Sequence, residues 1–363
     1  MRKTPWQLFR FAFVYLSAQP TGFLITPLLW NSEYLGWMSI LAGSAMSLIL
    51  LWFTIRLGMW SPNASWVDFG ERLVGKWVHT MIILLLLFWS INYIALDIEG
   101  FTLFFNTNYM RESPQWIIQI IIGLVVIITA RWGLETMIYM SDGLFILSVL
   151  SIVLVNIFFF KNSEFEMLPA LITHHNYGSA ATDAVYCLSF FAEWVVFLFI
   201  APYIQIDWRA FRNLACSGLL VALAVLLQWL AALLNFGPYF GRELQYPLVE
   251  LMRSTGGFLG KSDPLMIGLW SSSMFMHSAF LLHVSVKCLG KVLNLKKMDN
   301  PLISLVGGTS VVIAYQYSRN PTLFQENYDS VPMIAFFLTI EAIPLLYWLA
   351  ILLRPRKRKR RTA

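Results

Sequence analysis

Trp77–Phe105 reads WVHTMIILLLLFWSINYIALDIEGFTLFF, and its reading decides the fold class. It holds no lysine or arginine, and its only acidic residues are Asp97 and Glu99. About 20 mainly apolar residues suffice to cross the hydrocarbon core of a bilayer. Backbone groups facing lipid must be satisfied within the segment, so such a stretch is a helix. No stretch of the chain shows the alternating pattern of a membrane β-barrel.

Nine further stretches read the same way. In chain order the ten run at about 6–30, 35–57, 77–105, 116–132, 139–160, 183–204, 211–236, 264–290, 301–317 and 330–353, and they are numbered here as spans one to ten. Composition agrees over all 363 residues: 58% are hydrophobic, 16% aromatic and 13% charged. A soluble domain carries about 25% charged residues. With a mean hydropathy of +0.64, soluble enzymes, nucleic-acid binders and disordered chains are excluded as classes. The expectation is an all-α polytopic membrane protein with a single transmembrane domain over residues 1–353.

The basic residues set the orientation. With the N-terminus inside, 20 lysines and arginines fall on inner segments and 6 on outer ones, a strong positive-inside bias. Both ends are then cytoplasmic. Seven basic residues crowd into 354–363, a basic cytoplasmic tail suited to anionic lipid. The net charge of +6 therefore points to the lipid bilayer as partner, not to nucleic acid. Cys187, Cys216 and Cys288 lie in apolar stretches and read as small core residues, with no disulfide framework. No cleavable signal peptide is read at the start of the chain. Ser65–Gly75 and Tyr246–Phe258 read as short amphipathic helices on the inner and outer surfaces.

Ten helices divide into two halves of opposite orientation, about 6–160 and about 183–353, and an inverted repeat places irregularities in the first helix of each half. Span one carries Ala18-Gln19-Pro20-Thr21-Gly22, where proline removes a donor and glycine permits non-helical dihedrals. The expectation is a local unwinding there. Span six carries Glu193 in an apolar run, with no central glycine or proline to mark a break.

Ionisable groups inside a membrane are costly and mark function. Glu193, flanked by Phe190, Phe191 and Trp194, leads, followed by Glu341 three residues before Pro344. Asp97 and Glu99 read as a solvated vestibule or a structural pair. In span eight His283 reads towards a ligand cavity, and His277 as a packing or interhelical hydrogen-bonding residue. The two histidines do not share a helix face and no acidic or cysteine ligand accompanies them, so neither metal nor other cofactor is expected. Walker A, dinucleotide and nucleophile-elbow motifs are absent, and no enzyme is expected.

Leu35-Gly36-Trp37, Ala130-Arg131-Trp132-Gly133-Leu134-Glu135, Met167-Leu168-Pro169-Ala170-Leu171, Ala201-Pro202-Tyr203 and Tyr246-Pro247-Leu248-Val249-Glu250-Leu251 follow one another in order along the chain. With Asp263 to Lys297, they resemble the permease-like B subunits of bacterial spore-germination nutrient receptors, within the amino acid–polyamine–organocation transporter superfamily. The resemblance implies a LeuT-like five-plus-five inverted repeat and a small-molecule pocket between spans one, three, six and eight. Carried onto this chain, the pocket takes Thr21, Gly22, Tyr93, Asp97, Phe190, Phe191, Glu193, Ala279 and His283. It further implies sensing of an amino acid or similar germinant in the inner spore membrane, beside A-type and C-type receptor subunits. The same scaffold also serves secondary transport of amino acids coupled to protons or sodium.

Overall fold

Each of the ten apolar stretches contains helix in the computed structural model, which describes residues 4–161, 163–254, 263–295, 300–320, 322, 324 and 330–353. The basic tail at 354–363, Lys261, Lys296 and Lys297 lie outside the described residues. Among the described residues five helices are long and apolar enough to cross a membrane unaided, and two bent helix pairs raise the number to seven. Among the described residues no strand occurs.

Span one is three helices, Pro5–Leu16, Ala18–Phe23 and Ile25–Asn31, with a 47° bend at Leu24. Thr4 caps its start, with Gln7 closing a capping box. The expected unwinding over Ala18–Gly22 is replaced by a short helix flanked by interruptions at Ser17 and Leu24. Pro20 sits within its first turns, where the missing N–H costs little.

Span six departs furthest from expectation. Its helix, Tyr177–Phe191, stops at Ala192, and only the 3-10 turn Val195–Phe199 follows. Neither glycine nor proline causes the stop. The backbone groups it frees are taken by other spans: the Phe191 carbonyl accepts from Ser47 Oγ at 2.7 Å, and the Trp194 N–H donates to Glu341 Oε2 at 3.0 Å. Span ten bends by 44° beside that same glutamate, between Val331–Glu341 and Ile343–Leu353.

The remaining spans pack around these broken ones. Gly36–Gly58 of span two lies along spans six and seven; Lys76–Asn108 of span three lies along Asp263–Val292 of span eight and Asn300–Ser318 of span nine. Gly43 lets span two approach closely, since a Cβ there would fall 2.5 Å from Cys187 Cβ. The inner surface segment forms as two short helices, Trp66–Phe69 and Glu71–Val74, with Trp66, Phe69 and Leu73 buried. The outer one forms over Pro247–Ser254, and its expected continuation lies outside the described residues. Cys187 and Cys288 are buried, but Cys216 is exposed, so it is not a core residue.

Candidate functional site

Four spans bring polar side chains together at mid-membrane. On span one, Tyr15 and Gln19 stand one turn apart, and on span three so do Tyr93 and Asp97. Glu193 projects from the break in span six, and His277 and Ser278 from span eight. All seven side chains are at most 2% exposed.

The two carboxylates collect every donor in reach. Glu193 Oε1 accepts from Tyr93 at 2.7 Å, and its Oε2 accepts from Tyr15 at 2.7 Å. Asp97 accepts from the Gln19 amide, and from Ser278 Oγ at 2.6 Å. His277 lies between them, Nε2 2.8 Å from Glu193 Oε2 and Nδ1 2.8 Å from Asp97 Oδ2. The two ring nitrogens thus bridge the carboxyl groups of spans three and six. Tyr15 stacks on that ring at 4.6 Å, and Tyr93 meets it edge-on at 5.0 Å. The arrangement is one imidazole ring held between two carboxyl groups, with hydroxyl and amide donors completing both.

Trp270 stands two turns along span eight from His277, towards the outer side. Its indole N–H donates to the Ala18 carbonyl at 2.7 Å, and its ring packs on Phe101 and Phe104 at 4.7 and 5.0 Å. Gly22 is required beneath it, because a Cβ would fall 1.9 Å from the Trp270 ring. Beyond this aromatic layer opens a vestibule of about 460 Å³, lined by Gly22, Phe23, Thr26, Gly100, Leu103 and Tyr246 among others. Gly100, in the vestibule lining, lies one turn from Asp97 on span three, so the vestibule approaches the network along that helix.

The residues expected in the pocket are spread over this region. Tyr93, Asp97 and Glu193 meet in the network. Gly22 lines the vestibule, while Thr21 lines a separate cavity of about 50 Å³ with Ser17, Gln228 and Ser273. Phe190 shares a small gap with Tyr93 and Phe337. Phe191 and Ala279 are buried in the packing around these groups. His283 lies six residues inward from His277 on another side of span eight, its Nε2 without a hydrogen-bond partner among the described residues. His277 makes the interhelical hydrogen bonds. Asp97 and Glu99 form neither a solvated vestibule nor a pair with each other. Both are buried, and Glu99 instead accepts from Gln119 of span four at 2.6 Å. Sequence reading passed over Tyr15, Gln19 and Ser278. The signal available for the first two was their spacing of four on an otherwise apolar face. Among the described residues no group of histidine, cysteine and acidic side chains is arranged to hold a metal ion.

Comparison with known proteins agrees with this architecture. The chain is similar to a Na+-coupled sialic acid symporter in a substrate-bound, outward-open state (TM-score 0.69, 14% identity, covering 93% of this chain and 79% of that one). It is similar to a nucleobase-cation-symport-1 family transporter in a closed conformation with bromovinylhydantoin bound (TM-score 0.66, 14% identity, 96% and 78% covered). MhsT in complex with L-phenylalanine gives a TM-score of 0.55 at 14% identity, with 96% and 97% covered. These likenesses establish the LeuT fold, and the apolar helices make this a multi-pass membrane protein. By sequence it is 22% identical over 214 residues to spore germination protein XB of Bacillus anthracis, a match covering 58% of this chain and 59% of that relative's length. The pattern that defines the spore germination protein family Spore_permease matches residues 10–322, and the chain belongs to that family.

Proposed function

We propose that the chain is the permease-like subunit of a spore germinant receptor, binding an amino acid or similar small nutrient at mid-membrane and signalling germination. The observation that carries this reading is the buried Asp97–His277–Glu193 network, set at the break of span six directly inward of the outer vestibule. A zwitterionic nutrient entering the vestibule reaches, one layer deeper, two carboxyl groups for its ammonium group and the His277 ring for its carboxylate. Binding shifts the protein between conformations through differential affinity, without covalent chemistry. On this reading A-type and C-type subunits assemble with it in the inner spore membrane, and residues about 6–160 and about 183–353 are its two repeats.

The second reading is a secondary transporter that carries an amino acid with protons or sodium. It is supported by the titratable character of the network, which offers a proton site midway across the membrane. One experiment separates the two: spores lacking this protein are exposed to a panel of nutrients while uptake is followed in parallel. Loss of a germination response with uptake unchanged supports the receptor. Coupled uptake by the purified protein alone, with germination intact in the deletion strain, overturns it.

A further inference from the structure

A second outer cavity lies on the far side of the Ile25–Asn31 helix from the vestibule. Its volume is about 900 Å³, and spans one, six and ten supply its walls. Asp183 of span six reaches it with a side chain only 3% exposed. The carboxylate accepts from Asn31 Nδ2 at 3.2 Å, from Ser32 Oγ and from the Ser32 backbone N–H, three neutral donors. A carboxylate has about four acceptor positions, so these leave it capacity. No ion-pair partner of Asp183 occurs among the described residues. The Arg242 guanidinium pairs with Glu243 at 3.4 Å and stacks over one face of the Trp30 ring, 5.0 Å from its centroid, which leaves the other face to the cavity.

The rest of the lining suits a cation. Trp30 and Tyr186 bring aromatic rings, Ser179 and Thr182 bring hydroxyls, and among the described residues no lysine or arginine lines the cavity. A buried anion beside aromatic walls is the chemistry that recognises ammonium groups. We propose that this cavity is a second ligand site, for a protonated amine, with Asp183 as its counter-ion and Trp30 and Tyr186 as its walls. The site is separate from the mid-membrane network and does not depend on the germinant reading. The amine belongs either to a small solute or to an ethanolamine lipid headgroup.

The test uses the full-length protein in nanodiscs, with magnetisation transfer from protein to ligand as the readout. In one arm the discs are pure phosphatidylglycerol and the probe is free ethanolamine. In the other they contain phosphatidylethanolamine and no free amine. Expected is a saturable contact to the ammonium-bearing carbon in at least one arm, and which arm shows it names the source. The contact weakens at least tenfold in D183N and in V331W, the latter filling the cavity from an exposed position on its rim. The second variant keeps the test decisive where D183N fails to fold. Absence of saturable contact in both arms overturns the proposal, as does a contact that persists undiminished in the folded variants.

Discussion

His277 keeps two buried carboxylates compatible. Removing one partner of a buried ionic network leaves uncompensated charge, at a cost of about 3–5 kcal/mol. H277Q is therefore expected to lower thermal stability in detergent by about that amount, and E193Q combined with H277Q to recover part of it. An H277Q protein as stable as the wild type contradicts the network. Gly22 makes the other residue-scale claim. G22A drives a methyl into the Trp270 ring, an overpacking cost of about 1–3 kcal/mol, and W270A should relieve it. A double-mutant cycle measures that coupling, and additive effects would refute the contact. The sequence alone could not rank His277 above His283, because both are lone histidines in one apolar helix. What distinguishes them is which neighbouring span each faces.

At the scale of elements, the broken helices place the site. The irregularity of span one was legible in Pro20 and Gly22, although the chain interrupts at Ser17 and bends at Leu24, leaving Ala18–Phe23 helical. The break of span six was not legible, because its causes lie elsewhere in the sequence. Ser47 of span two accepts from the Trp194 indole at 2.8 Å and donates to the Phe191 carbonyl, while Glu341 of span ten takes the Trp194 N–H. These contacts replace the helical bonds that Ala192 ends. S47A leaves two buried polar groups unpaired and is expected to cost about 1–3 kcal/mol, read by thermal unfolding of the purified protein. Unchanged stability would show that the break is intrinsic to residues 192–194. Glu193 itself was legible as an unusual acid in an apolar run, but its position at a chain break was not.

At the scale of the whole molecule, charge and hydropathy carried most of the fold. All ten stretches read from the sequence contain helices, and the positive-inside count orients them without reference to packing. With that orientation the vestibule and the Asp183 cavity would face outward. A membrane-impermeant maleimide applied to intact cells should therefore label a cysteine placed at Glu112 but not one at Asn63, two exposed loop positions. The reverse pattern would invert every statement about access. The convergence of four spans on one buried network was the part beyond reach of sequence, since it depends on contacts between residues as far apart as Tyr15 and His277. Nutrient recognition at that network is the central claim. Its most direct measurement is the dose–response of germination to each nutrient in spores carrying E193Q or H277Q in place of the wild-type chain, with protein level verified in the spore membrane. A selective loss or rightward shift of at least tenfold for one nutrient, at wild-type protein level, is the expected result; unchanged dose–response curves for every nutrient would contradict it.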